Sequence, residues 1–122
     1  MSTQTQDTKI AARLRALHAD IAAGRIADVF ADYYADDIRM QENTDAPCVG
    51  LAANLEREKA WLDGIAEWRS FELLSFAVHG DVSFAETEYA YRTKDGQDVH
   101  AVQTARAIWK DGKIVDERFY HA

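Results

Sequence analysis

The chain has 122 residues, 48% hydrophobic and 29% charged, which is the composition of one soluble globular domain spanning residues 1–122. Its 21 acidic residues outnumber its 14 basic ones, and the net charge of -7 repels a phosphate backbone, so nucleic acid is not an expected partner. No apolar run is long enough to span a membrane, and the polar amino terminus lacks a secretory signal. We therefore predict a cytoplasmic protein with no membrane partner.

Helical periodicity begins close to the amino terminus. Apolar residues recur at helical spacing through residues 10–21. They predict a first amphipathic helix that begins after Asp7 or Thr8 and stops at Gly24.

The next part of the chain predicts two more helices separated by a short strand. Apolar spacing over residues 26–34 predicts a second helix, which is expected to end at the turn-favouring aspartates of residues 36–37. Alternation over residues 38–42 predicts a short strand, and residues 43–50 form an irregular loop. The apolar stripe of residues 51–65 predicts the third helix.

The second half of the chain changes to a period of two, which is typical of strands. The predicted strands cover residues 69–79, 82–93, 97–110 and 113–121. Glycine and aspartate pairs separate them and predict tight hairpin turns. Helices followed by a run of strands indicate an α+β fold with an antiparallel meander.

Two short segments resemble a known family. The sequence Y-Y-A-D-D at residues 33–37 and the final hairpin, W-K-D-G-K-I-V-D-E-R-F-Y-H-A at residues 109–122, resemble the NTF2-like superfamily in its SnoaL-like and ketosteroid-isomerase-like branch. The resemblance implies a cone-shaped α+β fold in which three N-terminal helices pack in the concave face of a strongly curved, mostly antiparallel sheet. It also implies a hydrophobic pocket, while any activity inferred from it is an analogy.

Glu42 is the residue that the resemblance singles out for chemistry. It falls where ketosteroid isomerases carry their proton-abstracting aspartate and where limonene-epoxide-hydrolase-like members carry a water-holding asparagine. In an apolar cavity the pKa of a carboxylate rises, which suits a general base acting beside a carbonyl. At a cavity rim the same residue would be a solvated strand end, and the sequence leaves both interpretations open.

At three positions this sequence lacks residues that ketosteroid isomerases or limonene-epoxide-hydrolase-like proteins carry. Leu17 and Ala105 stand where the resemblance places the oxyanion donors of ketosteroid isomerases. Phe119 stands where the epoxide-hydrolase-like pattern needs its second aspartate. These departures argue against either specific activity.

Strand alternation, with the concave side taken from the resemblance, predicts which side chains face inward. It sends three alanines inward on the strand over residues 97–110 and alternate residues of the last strand inward from Glu117. Small side chains leave volume that either aromatic neighbours or a ligand must fill, and we predict a modest apolar cavity. The predicted binding residues are Met40, Trp61, Tyr89, Tyr91, Gln103, Trp109, Glu117 and Phe119.

Two residues of the last strand carry specific expectations. His121 is predicted to hydrogen-bond Glu42 and complete a catalytic pair, although its penultimate position gives a frayed tail equal weight. Glu117 is costly to bury alone, so it is expected either to pair with Arg106, Arg118 or a histidine, or to help form the site.

No residue pattern indicates a metal or a cofactor. Histidine pairs with metal-ligand spacing, cysteine clusters and glycine-rich phosphate loops are all missing from the sequence. His18, next to the apolar stripe of the first helix, is interpreted as a surface or core residue.

Two functional hypotheses from different classes follow. The first is a cofactor-free isomerase, cyclase or hydratase-type enzyme in which Glu42 transfers a proton on a lipophilic carbonyl compound, helped by His121, Tyr89 or Tyr91. The second is a non-catalytic ligand-binding or protein-interaction module. The resemblance implies a homodimer, and alternate residues over 100–108 suit a contact between two sheets.

Overall fold

The computed structural model of the chain describes residues 3–122, which form three helices and six strands. The helices are α1 (Thr3–Ala22), α2 (Val29–Tyr33) and α3 (Leu51–Asp63). The strands are β1 (Tyr34–Glu42), β2 (Cys48–Val49), β3 (Ile65–His79), β4 (Val82–Thr93), β5 (Asp98–Lys110) and β6 (Lys113–Tyr120). Within this range no helix is long and apolar enough to cross a membrane.

One mixed sheet contains all six strands, in the order β2-β1-β6-β5-β4-β3. Strand β1 runs parallel to β6, and the other four pairings are antiparallel. The parallel register pairs Met40 with Glu117 and Glu42 with Phe119. The chain therefore ends on an inner strand of the sheet, which is hydrogen-bonded on both sides.

The predicted hairpin turns of the meander are confirmed by the backbone. Asp111 and Gly112 both have positive φ, 52° and 81°, as a two-residue turn of the primed type requires. Gly112 adopts this conformation without a steric penalty because it has no Cβ. The turn sets the register between β5 and β6 at its own end of the hairpin. A register shift follows between Ile108 and Trp109, so Ile114 and Glu117 of β6 both face the interior.

The core lies between the helices and one face of the sheet. Leu14 and Leu17 of α1 pack in one cluster with Ile38 of β1 and Ile114 of β6, and all four are almost fully buried. Burial of an aliphatic side chain of this size contributes about 1.5–3 kcal/mol to stability. Apolar packing of this kind holds α1 and α2 against the sheet.

Helix α1 begins earlier than predicted. Its apolar stripe starts at Ile10, but the helix begins at Thr3. Periodicity detects a helix only where one face is buried, so a polar first turn gives no signal.

Strand β1 is longer than predicted, and α2 is correspondingly shorter. Tyr34 has an extended backbone (φ -114°, ψ 138°) and pairs with Ile114 of β6. A register shift between Tyr34 and Arg39 places the exposed Asp36 and Asp37 within the strand instead of at a turn. Pairing with β6 is a long-range interaction, and it outweighs the local turn preference of the two aspartates.

Strand β3 also begins earlier than predicted. Helix α3 ends at Asp63, and Ile65 already pairs with Thr93 of β4. The backbone N–H of Lys94 donates to the Gly64 carbonyl, which ties the helix end to the turn after β4.

Candidate functional site

A cavity of about 540 Å³ lies between the helices and the inner face of the sheet. Residues from all three helices and five of the six strands line it. One group of lining side chains is aromatic, and another group contains three glutamates.

Glu117 of β6 is the most buried of the three glutamates, with 5% of its surface exposed. The Tyr34 hydroxyl donates a 2.8 Å hydrogen bond to its Oε1 atom. Burial raises the pKa of Glu117 to about 8, the Tyr34 hydrogen bond opposes this shift, and the charges of Glu58 and Glu42 add to it. At neutral pH the Glu117 carboxyl is therefore mostly protonated.

Glu58 of α3 is the second carboxyl group of the cavity. Burial raises its pKa to about 7, with Arg57 opposing the shift and Glu42 adding to it. The negative charges of the three glutamates thus repel one another. As a result, the group stays partly protonated at pH 7, where isolated carboxyl groups would be ionised.

Glu42 is the last residue of β1 and lies two residues after Met40, which pairs with Glu117. Its side chain is 37% exposed, yet its Oε2 atom is inaccessible to solvent and has no hydrogen-bond partner. Burial raises the pKa of Glu42, while the positive charges of Arg57 and His121 lower it. Glu42 therefore lies in a less buried and more cationic environment than Glu117.

His121 follows the last residue of β6 and is held near Glu42. Its backbone N–H donates a 3.1 Å hydrogen bond to Oδ1 of Asn43, so the residue is not a free tail. Its Nε2 atom lies 4.0 Å from Oε2 of Glu42, which is within ion-pair range but too long for the predicted hydrogen bond.

The aromatic group forms one wall of the cavity. The rings of Trp68, Phe71, Tyr89 and Tyr91 stack on neighbouring strands with centroids 5.9–6.2 Å apart. Trp61 of α3 stands nearly perpendicular to this row, at 84° to Tyr91. It is 38% exposed, so the wall reaches solvent at this residue.

Three other predicted binding residues are also part of the cavity wall. Met40, Gln103 and Phe119 all line the cavity. Of the alanines on β5, Ala105 lines it, whereas Ala107 is buried in the core cluster.

One expectation from the sequence, for Trp109, needs correction, and one of the two alternatives for Glu117 is excluded. Trp109 does not line this cavity, because its indole N–H donates a 2.9 Å hydrogen bond to the buried Ser83 hydroxyl within the core. Glu117 is not paired with a cation, because Arg106 binds Asp116 and Arg118 binds the Asn43 carbonyl. Both arginines lie on the outer face of the sheet, which alternation separates from Glu117.

Sequence reasoning missed several cavity residues. Glu58 occupies the position between Leu55 and Leu62 where the apolar stripe of α3 would continue. A glutamate at a position that faces the interior is the sequence signal that could have identified it as a cavity residue. Thr87 of β4 is 2% exposed, and its hydroxyl has no hydrogen-bond partner. Tyr34, His18, Arg57, Trp68 and Phe71 also line the cavity. Among residues 3–122, no cluster of histidine, cysteine and acidic side chains is arranged to hold a metal ion.

Known structures with the same fold come from several bacteria. A protein from Mesorhizobium loti, named as a candidate SnoaL-like polyketide cyclase, superposes with a TM-score of 0.79 at 24% identity, covering 91% of this chain and 97% of that one. A candidate isomerase from Bacillus subtilis gives 0.80 at 17% identity, covering 100% and 90%. An LEH-like epoxide hydrolase from M. tuberculosis gives 0.78 at 14% identity, covering 96% and 85%.

These structural matches establish the fold alone. Their sequences have diverged too far from this chain for the activity of any of them to be assigned to it. No protein of curated function matches the sequence. The model of the SnoaL-like domain matches residues 14–117, which is most of the chain. The chain therefore belongs to the SnoaL-like family of the NTF2-like superfamily.

Proposed function

We propose that the protein is a cofactor-free enzyme that transfers a proton next to the carbonyl group of a lipophilic molecule bound in the cavity. One observation carries the proposal: Glu42 and Glu117 line the same cavity in different environments. Glu117 is buried and bonded to Tyr34, whereas Glu42 is partly exposed and has an unpartnered oxygen. Two carboxyl groups with pKa values shifted by different surroundings are suited to act as an acid and a base.

Glu42 is the base in this proposal. It removes the proton from the carbon beside the carbonyl, and the electron pair of that C–H bond moves to form an enolate. His121 and Arg57 favour the ionised form of Glu42, which the reaction needs before each turnover.

Glu117 is the acid that stabilises the enolate oxygen. Its Oε1 atom accepts the hydrogen bond from Tyr34, which leaves Oε2 to carry the proton and donate it toward the substrate oxygen. A donor held in a buried site stabilises developing charge more strongly than the same donor would in water. The cycle ends when Glu42 returns the proton and the C=O bond re-forms. Return to the same carbon gives hydrogen exchange, and return to the γ carbon gives isomerisation when a C=C bond is conjugated with the enolate.

The aromatic wall supports a lipophilic substrate. The cavity volume of about 540 Å³ falls in the range of about 300–1,000 Å³ that is usual for small-molecule sites. The names of the structural neighbours, which include a cyclase, an isomerase and an epoxide hydrolase, are consistent with acid–base chemistry in this fold.

Hydrogen exchange into a bicyclic ketone tests the proposal without knowledge of the natural substrate. We expect the protein to accelerate deuterium incorporation from D2O beside the carbonyl of 2-tetralone, followed by NMR. Glu42→Gln should lower the rate by about 10²- to 10⁴-fold, the usual contribution of a positioned base. Glu56→Gln, an exposed change on the same helix as Glu58, is the control and should leave the rate unchanged.

A non-catalytic binding module is the alternative that this experiment separates. Binding of the ketone without acceleration of exchange, or equal exchange rates for the wild type and Glu42→Gln, would exclude proton transfer by Glu42.

The outer face of the sheet supports a second proposal, a homodimer through that face. Phe84, Val102 and Tyr120 lie on three neighbouring strands and are 41–48% exposed. Glu86 and Arg106 lie on the same face, so a second copy in an antiparallel orientation offers complementary charges. Exposed apolar side chains between polar ones are typical of a self-association surface.

Sedimentation velocity tests the dimer. A dimer predicts twice the chain mass of 13.8 kDa, and Val102→Glu should produce monomers because it places a charge on the proposed contact. Val49→Glu changes a more exposed valine on β2, 62% against 47% for Val102, and should leave the dimer intact. A wild-type protein that sediments as a monomer at 100 μM would contradict the proposal.

A further inference from the structure

His18 is a cavity residue that the proposed reaction does not use. It projects from α1, lines the cavity and stacks on Phe71, with ring centroids 5.7 Å apart. Phe71 stacks in turn on Trp68, whose indole N–H donates to the Ile21 carbonyl of the same helix. The imidazole ring is therefore held in place at the aromatic end of the cavity.

The hydrogen bond of His18 determines its tautomer. Its Nδ1 atom lies 2.8 Å from the Leu14 carbonyl oxygen. A carbonyl oxygen can only accept a hydrogen bond, so Nδ1 must carry the hydrogen. In the neutral ring Nε2 then has a lone pair and no hydrogen.

The ring is neutral under ordinary conditions. Burial lowers the pKa of His18, and the hydrogen bond to Leu14 opposes this shift only in part. Among the described residues, no group forms a hydrogen bond with Nε2.

We infer that His18 Nε2 accepts a hydrogen bond from a hydroxyl group on an aromatic ligand, and that the cavity selects hydroxylated aromatic molecules for this reason. The inference deepens the proposed function, because it rests on the cavity being the ligand site. An ether or carbonyl oxygen at the same position would face the Nε2 lone pair without a hydrogen between them, so such a ligand binds more weakly.

The stacked row explains why the hydroxyl belongs to an aromatic ring. His18, Phe71 and Trp68 form one continuous row of stacked rings, so an aromatic ligand packed on Phe71 and Trp68 lies beside His18. A hydroxyl at the edge of the ligand nearest His18 is the group that meets Nε2.

The tautomer is measured first, on the wild-type protein without ligand. Long-range ¹H–¹⁵N correlation spectra of the imidazole rings at pH 7.5 should show protonated Nδ1 and unprotonated Nε2 for His18. Loss of these signals in His18→Phe assigns them. A His18 ring with its hydrogen on Nε2 would overturn the inference, and this measurement does not depend on any activity.

A matched pair of probes then tests selectivity. 2-Naphthol should bind roughly 3- to 10-fold more tightly than 2-methoxynaphthalene, the range expected for one net hydrogen bond. His18→Phe retains a ring to stack on Phe71, so it should abolish the preference and leave the affinity for the methyl ether unchanged. His79→Phe, an exposed histidine at the end of β3, is the control and should keep the preference.

Each contrary result has a defined meaning. Equal affinities of the two probes for the wild type, binding of neither probe, or an equal loss of both affinities in His18→Phe would each overturn the role of His18. Failure of Glu42→Gln to slow proton exchange would instead overturn the proposed reaction while leaving a His18-dependent preference intact.

Discussion

The Tyr34 hydroxyl and the Glu117 carboxyl form a buried 2.8 Å hydrogen bond that joins β1 to β6. These residues are 83 positions apart in the sequence, and the parallel pairing of the two strands brings them together. Burial raises the pKa values of both groups, so each one is protonated at neutral pH. The pair places a neutral carboxylic acid in the cavity.

Tyr34→Phe should raise the pKa of Glu117 further above about 8, because the hydroxyl stabilises the ionised carboxylate. It should also destabilise the fold by about 1–3 kcal/mol, since a buried carboxyl oxygen loses its partner. A ¹³C NMR titration of the glutamate carboxyl groups measures the pKa. Tyr33→Phe, which removes a neighbouring hydroxyl bonded to Asp20, is the control and should leave the Glu117 titration unchanged.

The stability of the protein should fall as pH rises from about 5 to 8. Glu117 and Glu58 have raised pKa values in the folded state, so they bind protons that the unfolded chain has already released. Their stabilising effect is complete below the unfolded pKa of about 4.5 and is lost as pH passes through about 7 and 8. Each such proton contributes a slope approaching about 1.4 kcal/mol per pH unit.

Urea denaturation at pH 5.5 and pH 8 measures this slope. Glu117→Gln should reduce it, because the amide keeps the shape of the side chain and cannot ionise. Glu56→Gln removes an exposed carboxyl and should preserve it. A slope that is equal in the wild type and Glu117→Gln would show that Glu117 ionises normally in the folded protein.

The rate of ketone exchange should depend on pH as a bell-shaped curve. The low-pH limb reports ionisation of Glu42, and the high-pH limb, near pH 8, reports loss of the proton from Glu117. Glu117→Gln should remove the high-pH limb because its amide remains a donor at every pH. A high-pH limb that persists in this variant would assign it to a different group.

Trp61→Ala should weaken binding of 2-naphthol by about 10-fold, in line with the loss of one aromatic contact of about 1.4 kcal/mol. Fluorescence titration of the probe measures this affinity. The free energy of unfolding should also fall, by about 1–2 kcal/mol, since the partly exposed Trp61 loses its ring contacts with Trp68 and Tyr91. Phe84→Ala, an exposed aromatic on the outer face of the sheet, should bind the probe like the wild type.

Trp109→Phe should lower stability by about 1–3 kcal/mol without changing the affinity for 2-naphthol. The change removes the donor to the buried Ser83 hydroxyl, and Trp109 itself does not line the cavity. Thermal unfolding and the probe titration measure the two effects. A loss of affinity that exceeds the loss in the paired variant Ser83→Ala would restore a binding role to Trp109.

The sequence alone determined the α+β order and the hairpin turns. These features are local: helices and strands repeat with different periods, and Asp111–Gly112 has residue types that accept the positive φ of a two-residue turn. The inward face of β6 came from the family resemblance, because the register shift between β5 and β6 buries both Ile114 and Glu117, which strict alternation does not predict. Counting from the family motif also placed Glu42 at the end of β1, where it lines the cavity.

Only the tertiary structure decided which chemical groups meet inside. Alternation sends Glu117 inward but does not reveal that Tyr34 bonds to it, because that contact depends on the parallel pairing of β1 with β6. Alternation likewise sends Trp109 inward. At that end of β5, however, the interior is filled by the core, so Trp109 is buried in the core instead of lining the cavity. Periodicity gives the direction of a side chain, whereas burial and the neighbours across the core set its pKa and its partners.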